Sequence, residues 1–210
     1  MPPRMRTPEE KQHDKQKIID AALLIVQKHG LDGMTIRSLG NKLNMSSANI
    51  YNYFYNKDEL YIHILITGFR LLQKEQAEKL QGVTDPIRRL EVFLRCGADF
   101  AMVHPAYYQL MFSTLDPKSM DYAGAPTEDL AKEEKQIAME TFNALVEHIR
   151  ACDSSLSDHE LRNCAIKTFC QLHGLLNLFH SNALREMDGE FDEILDSIIN
   201  DILSRFRHDA

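Results

Sequence analysis

Apolar positions recur along this chain every three and four residues, and no stretch alternates apolar and polar positions over the length of a strand. The pattern predicts an all-α protein. The first helix opens at Thr7-Pro8-Glu9-Glu10, where Thr7 caps, Pro8 suits the first turn and Glu10 completes a capping box. Its stripe is Ile18, Ala21, Ala22, Ile25 and Val26, and Gly30 stops it after His29. Two short helices follow, Ile36 to Leu43 capped by Thr35, and Ala48 to Phe54 capped by Ser46 or Ser47. Asn56 opens a long helix from Lys57 to Leu80, ended by Gly82. Asp85-Pro86 starts another that runs to Val103 and is broken by His104-Pro105. A short aromatic helix covers Ala106 to Phe112. Residues Ser113 to Thr127, with Pro117, Gly124 and Pro126, read as one long loop. Helices at Glu128–Cys152, Asp158–Asn182 and Glu190–Arg207 complete the chain, with Ser157 and Glu160 forming a second capping box.

The last helix carries Phe191, Ile194, Leu195, Ile198, Ile199, Ile202, Leu203 and Phe206 in an unbroken i, i+3, i+4, i+7 stripe. Two readings stand: burial in the chain's own core, or burial against a second copy. The second predicts a homodimer built on the last two helices.

Charge changes the picture modestly. Residues 1–70 hold 10 Lys/Arg and 7 Asp/Glu, whereas residues 71–210 hold 14 and 24, within a chain of net charge −7. A mildly basic head on an acidic body suits a local contact with phosphate and argues against a general nucleic-acid coat protein. Cys96, Cys152, Cys164 and Cys170 form no Cys-x-x-Cys pair and read as free thiols in a reducing compartment. Met1 to Arg6 lead into charged sequence rather than an apolar signal core, and Leu60 to Phe69 is too short to span a bilayer. The expectation is a soluble cytoplasmic protein with no membrane partner.

Thr35 to Phe54, as helix, turn and helix, has the form of a DNA reader whose second helix enters the major groove. That helix offers Ser46, Ser47, Ala48, Asn49, Tyr51, Asn52 and Tyr53, small or hydrogen-bonding side chains, with Ile50 and Phe54 as apolar anchors. Asn49 and Asn52 can reach base edges or phosphates.

Residues 18–65 resemble the DNA-binding head of tetracycline-repressor (TetR) family regulators. The resemblance rests on Ala21-Ala22, Gly30, Thr35, Ile50-Tyr51, Phe54, Lys57 and Leu60, above all the Tyr-x-x-Phe-x-x-Lys-x-x-Leu run. It departs from the family pattern at Leu39-Gly40, where Ile-Ala is common, and at Asn44-Met45, where Gly-Val is common. Asn tolerates the left-handed backbone that Gly would supply. The resemblance implies a phosphate or thymine-methyl contact for Tyr51, a backbone contact for Tyr53, phosphate binding for Lys57 and Thr35, and a base or phosphate contact for Arg37. It divides the chain into a DNA-binding domain over residues 1–56 and a ligand-binding and dimerisation domain over 57–210. The implied partners are double-stranded operator DNA, a second copy of the chain and a small-molecule effector.

The body resembles one subgroup of the family more weakly. His104-Pro105-Ala106-Tyr107-Tyr108-Gln109-Leu110-Met111-Phe112 is similar to its His-Pro aromatic segment, and Phe169 to Gly174 to its Trp-x-x-x-His-Gly motif, with Phe169 in place of Trp. Family ligand domains hold a mostly apolar cavity. Candidate lining residues are Phe100, Met102, Tyr107, Tyr108, Met111, Phe112, Phe142, Phe169, Cys170, His173 and Asn177, a set suited to a hydrophobic or aromatic effector.

A metal-sensing regulator is the alternative. His148 and Cys152 at i, i+4, and Cys170 and His173 at i, i+3, each share a helix face. No metal or cofactor is expected in the leading reading. The sequence carries no glycine-rich phosphate loop, Gly-x-Ser-x-Gly elbow or His-Glu-x-x-His motif, so an enzyme is not expected.

Overall fold

The computed structural model describes residues 7–113 and 119–207. The sequence readings for Met1 to Arg6 and for residues 114–118 of the expected loop lie outside these. Among the described residues the chain is helical, with no strand: α1 Pro8–His29, α2 Ile36–Leu43, α3 Ser47–Tyr51, α4 Lys57–Lys79, α5 Pro86–Val103, α6 Pro105–Tyr108, α7 Glu128–Cys152, α8 Asp158–His180, α9 Ala183–Glu186 and α10 Phe191–Ser204.

The expected caps form. Thr7 and Glu10 close a capping box on α1, and Ser157 and Glu160 close one on α8. Asp85 accepts from Arg88 N–H at the start of α5, with Pro86 in the first turn. Asn56 accepts from Glu59 N–H at 2.7 Å, which anchors the start of α4. These contacts satisfy backbone donors that have no partner inside the helix.

Several ends differ from the periodicity, and α10 is among them, running Phe191–Ser204 rather than Glu190–Arg207. α3 stops at Tyr51 and is capped by Asn52, because Tyr53 and Phe54 turn into the core. α8 stops at His180, and left-handed Asn182 (φ 61°) starts the short α9. After α6 the backbone widens into a π-helical turn over Gln109–Ser113, a form that often marks functional sites.

The chain divides into two compact units. One comprises the residues up to Gly68 together with Ala106–Lys135; the other comprises Phe69–Pro105 and the residues from Gln136 onward.

In the first unit Ile18, Ala22, Met34, Leu39, Ile50, Phe54, Leu60 and Ile64 are buried. α6 and the π turn pack within this unit as well. Tyr61 donates through its hydroxyl to the Leu110 carbonyl at 3.2 Å. A Cβ placed on Gly68 of α4 would lie 2.6 Å from Met111 Sδ and 2.8 Å from Tyr107 Cδ1, so the absence of a side chain there lets the two segments meet. Tyr107 also bonds Gln16 of α1, while burial first, and Asp20 next, push its hydroxyl up to about 12.

The core of the second unit joins Leu90, Phe93 and Leu94 of α5, Leu145 and Ile149 of α7, Leu161 and Ala165 of α8, and Leu195, Ile199, Ile202 and Leu203 of α10. The apolar stripe of the last helix therefore faces this chain's own core. Phe191, Ile194 and Ile198 flank it, partly buried. Arg95 of α5 ties α10 down through Asp196 at 2.7 Å.

Partial burial of three histidines sets a pH response. Desolvation is the main cause that lowers the pKa of the half-buried His63, His148 and His173; for His173 the value falls to about 4. Each is neutral in the fold and takes a proton more readily once unfolded. The stability they give is present above the ordinary histidine value of 6.5 and is lost as the pH falls from there toward 4. Thermal melts between pH 8 and pH 4 should show a falling midpoint below about pH 6.5. A midpoint flat across that interval would contradict the burial of these rings.

Candidate nucleic-acid interface

The reading head is built from α2, the turn after it and α3. Thr35, extended at φ −124°, accepts from Ser38 N–H at 3.0 Å, and Ser38 Oγ accepts from Thr35 N–H at 2.9 Å. This third reciprocal cap lay hidden in the sequence because its partner is a serine rather than Glu or Gln. At the far end of α2, Asn44 takes the left-handed conformation (φ 55°, ψ 39°) expected of it. Ser46 then caps α3 by accepting from Asn49 N–H at 3.2 Å.

Gly40 explains the departure from alanine at its position. Its carbonyl accepts from Met45 N–H at 2.9 Å, and an added Cβ would lie 2.7 Å from the Met45 carbonyl oxygen. Gly40→Ala should cost about 1–3 kcal/mol through overpacking against backbone. Thermal unfolding of that variant reads the cost, and an unchanged midpoint would show that the turn yields freely.

The side chains separate into two groups. Thr35, Arg37, Ser46, Ser47, Tyr51, Asn52 and Lys57 are exposed, and Asn49 is half-buried. Tyr51 is 52% exposed although its neighbour Ile50 is fully buried. Tyr53 stands apart: its ring is buried, and its hydroxyl donates to Asp14 of α1 at 2.9 Å. Phe54 is buried beside it, with the Lys15 ammonium 5.3 Å from the ring centre and the His63 ring edge-on at 5.6 Å. Tyr53 and Phe54 thus bind the end of α3 to α1 and α4. His63 lies 3.8 Å from Glu59, and burial and then Lys15 depress its pKa.

One exposed aromatic was not picked out from the sequence. Tyr55 is 69% exposed, and its backbone N–H is held by the Glu59 carboxylate. The signal was available, since Tyr55 lies between buried Phe54 and the lysine that opens α4.

The candidate effector residues divide between the two units. Tyr107, Tyr108, Met111 and Phe112 belong to the first, where Tyr107, Tyr108 and Met111 are buried and the Tyr108 and Phe112 rings lie 5.3 Å apart. Burial pushes the Tyr108 hydroxyl upward. Phe100, Met102, Phe142, Phe169, Cys170, His173 and Asn177 belong to the second. There Phe100 is buried against the His104 ring at 4.9 Å, and Phe169 meets Phe142 edge-on at 6.5 Å and His173 at 3.8 Å. Met102, Cys170 and Asn177 are exposed.

Among the described residues no group of three or more His, Cys, Asp or Glu is placed to hold a metal. The members of the alternative's first pair have other surroundings. The His148 ring packs on Phe93 at 4.8 Å, and burial raises the Cys152 thiol to about 11. Among the same residues no helix is long and apolar enough to cross a membrane.

Comparison with known proteins places this geometry. Residues 18–64 match the family of bacterial regulatory proteins called the tetR family, and residues 90–202 match the tetracyclin repressor-like C-terminal domain. The HTH-type transcriptional regulator YobS of Bacillus subtilis (strain 168) is 23% identical over 95 residues, which are 45% of this chain and 49% of that protein. The biofilm operon icaADBC HTH-type negative transcriptional regulator IcaR of Staphylococcus epidermidis is 36% identical over 47 residues, 22% of this chain and 25% of that protein. The chain thus spans about half the length of the first and a quarter of the second. Among solved structures, the fatty acid degradation regulator FadR from Bacillus halodurans superposes with a TM-score of 0.69 at 15% identity, over 98% of this chain and all of that one. That likeness is one of fold.

Proposed function

The chain belongs to the tetracycline-repressor family of transcriptional regulators, and from that premise we propose that it is a repressor that grips a near-palindromic operator as a homodimer and releases it when a small hydrophobic or aromatic effector binds. The observation that carries the reading is the reading head itself. α3 is capped by Ser46, offset from α2 by left-handed Asn44, and presents Ser47, Tyr51 and Asn52 outward while Ile50, Tyr53 and Phe54 hold it from behind. Residues 1–56 make up the DNA-binding domain in this reading, and residues 57–210 bind the effector and dimerise.

The roles follow from position. Ser46, Ser47 and Asn49 lie at the start of α3, the part that meets base edges in the major groove. Thr35, Arg37, Tyr51, Asn52 and Lys57 surround them and take phosphates or sugar edges. Tyr55 joins this group on its exposure. Tyr53 is a brace, through Asp14.

Dimerisation through the last two helices uses the outer side of α8, where Ile166 is 48% exposed and Cys170 and Asn177 are exposed with it. A specific dimer buries on the order of 1,500 Å² in total. Sedimentation should show a dimer for the natural chain and a monomer for Ile166→Glu. A variant that remains dimeric would move the interface elsewhere.

Control by an effector runs through the segment after α5. Tyr107 and Met111 press on α4 at Gly68, and Tyr107 also reaches Gln16 of α1, so a ligand that shifts this segment shifts the supports of α3. The ligand acts only to the extent that it prefers the shifted state. A hydrophobic effector is in keeping with the Bacillus halodurans neighbour, a regulator of fatty acid degradation. By reciprocity, operator must weaken effector binding by the factor that effector weakens operator binding, commonly about 5- to 150-fold. Isothermal titration of a screened effector, with and without operator, measures that factor; equal affinities would remove effector control.

A further inference from the structure

We infer that Thr168 and Gln171 on α8 form the polar anchor of a small-molecule site in the second unit, and that its ligand is neutral, an apolar body ending in a hydroxyl or primary amide rather than a carboxylate. The inference rests on the reading above that the chain answers to a small effector, and names that effector's chemistry.

Two orphaned polar atoms carry it. Thr168 is wholly buried and its hydroxyl makes no hydrogen bond. A buried helical threonine ordinarily returns its hydroxyl to the carbonyl four residues back, and this one does not. Gln171 Oε1, one turn later, is also buried without a partner. Positions i and i+3 of a helix lie side by side, so one polar group can reach both. Buried polar groups are almost always bonded, and leaving one unsatisfied destabilises the fold. Two such atoms on adjacent turns point to a group supplied from outside the chain.

The surroundings define that group. Thr168 lies on the buried stripe of α8 with Leu161, Ala165 and Leu175, which belong to the apolar core of this unit. Among the described residues the buried polar side chains are Gln76, Thr127 and Thr168, and none is a cation. A carboxylate brought here would remain an uncompensated buried charge. A hydroxyl or primary amide both donates and accepts: it gives a hydrogen to Gln171 Oε1 and takes one from Thr168 Oγ1.

The test uses the full chain and three probes of one chain length: 1-decanol, decanamide and sodium decanoate. Thr168→Val keeps the shape and deletes the orphaned hydroxyl, so without probe it should melt roughly 2–6 °C higher than the natural chain. Decanol and decanamide should raise the midpoint of the natural chain more than decanoate does. Their affinities should fall at least about tenfold in Thr168→Val, and likewise in Gln171→Met, which serves if the valine variant folds poorly. A valine variant no more stable than the natural chain would show the hydroxyl to be satisfied within the fold and overturn the anchor. So would equal probe affinities in both proteins, and decanoate binding tightest would overturn the neutral ligand. Operator binding without probe should be the same for the natural chain and Thr168→Val. Loss of DNA binding by both would count against the regulatory reading alone, because the probe arm judges the anchor without DNA.

Discussion

Phe54→Ala should remove about 3–5 kcal/mol of stability and with it the DNA-binding head. The side chain is 1% exposed and lies where α1, α3 and α4 meet, against Lys15 and the edge of His63. Alanine leaves a cavity that three helices must close together, and marginal stability leaves little to draw on. Chemical denaturation followed by circular dichroism should show the transition at lower denaturant, and operator binding should fail at temperatures where the natural chain still binds. A loss under about 1 kcal/mol would mean that the end of α3 is held by something other than this ring.

Replacing Tyr51 and Lys57 together by alanine should weaken operator binding by about a hundredfold at low salt, on the basis of roughly 1.4 kcal/mol for each lost charge-assisted or polar contact. Both side chains are exposed on either side of the buried Tyr53-Phe54 pair, so their removal leaves the core intact. Thermal stability should be within about 0.5 kcal/mol of the natural chain, as for surface changes in general. Loss of the lysine should also reduce the slope of log affinity against log salt by about one, the mark of one phosphate contact. By contrast, Asn49→Ala should relax preference at one base pair at a cost of about 1–3 kcal/mol. Unchanged affinity and slope in the double variant would remove these two residues from the interface.

Most of the helices were legible in the sequence because local chemistry marks their ends. Thr7 with Glu10 and Ser157 with Glu160 announced two starts, and Asp85-Pro86 and Asn56 two more. The left-handed Asn44 followed from the one residue type besides glycine that visits that region readily. Contacts distant along the chain were not legible. Periodicity places Tyr107 and Met111 on a helix, yet nothing local says that the two pack against Gly68 of α4. Helical spacing likewise does not show that Phe100 and Phe142 fall in one unit and Tyr107 and Tyr108 in the other.

For the site the outcome was uneven for physical reasons. Ile50, Tyr53 and Phe54 follow the i, i+3, i+4 spacing of a core face, and that spacing carries Tyr53 inward to Asp14. The apolar stripe of α10 fits an own core and a partner equally well on paper; in the fold Leu195, Ile199, Ile202 and Leu203 pack on α5, α7 and α8. Orphaned atoms such as Thr168 Oγ1 have no sequence signature, because they are defined by what a helix packs against.

A pair of these heads should read a two-fold symmetric DNA sequence. The direct measurement is selection of bound duplexes from a random pool by the full chain, followed by titration of the enriched sequence at two salt concentrations. The enriched duplex should be an inverted repeat whose half-sites lie about 34–36 Å apart, or a multiple of one helical turn, bound less tightly as salt rises. A pool that stays random, or a selected duplex bound equally well at both salt concentrations, would contradict it.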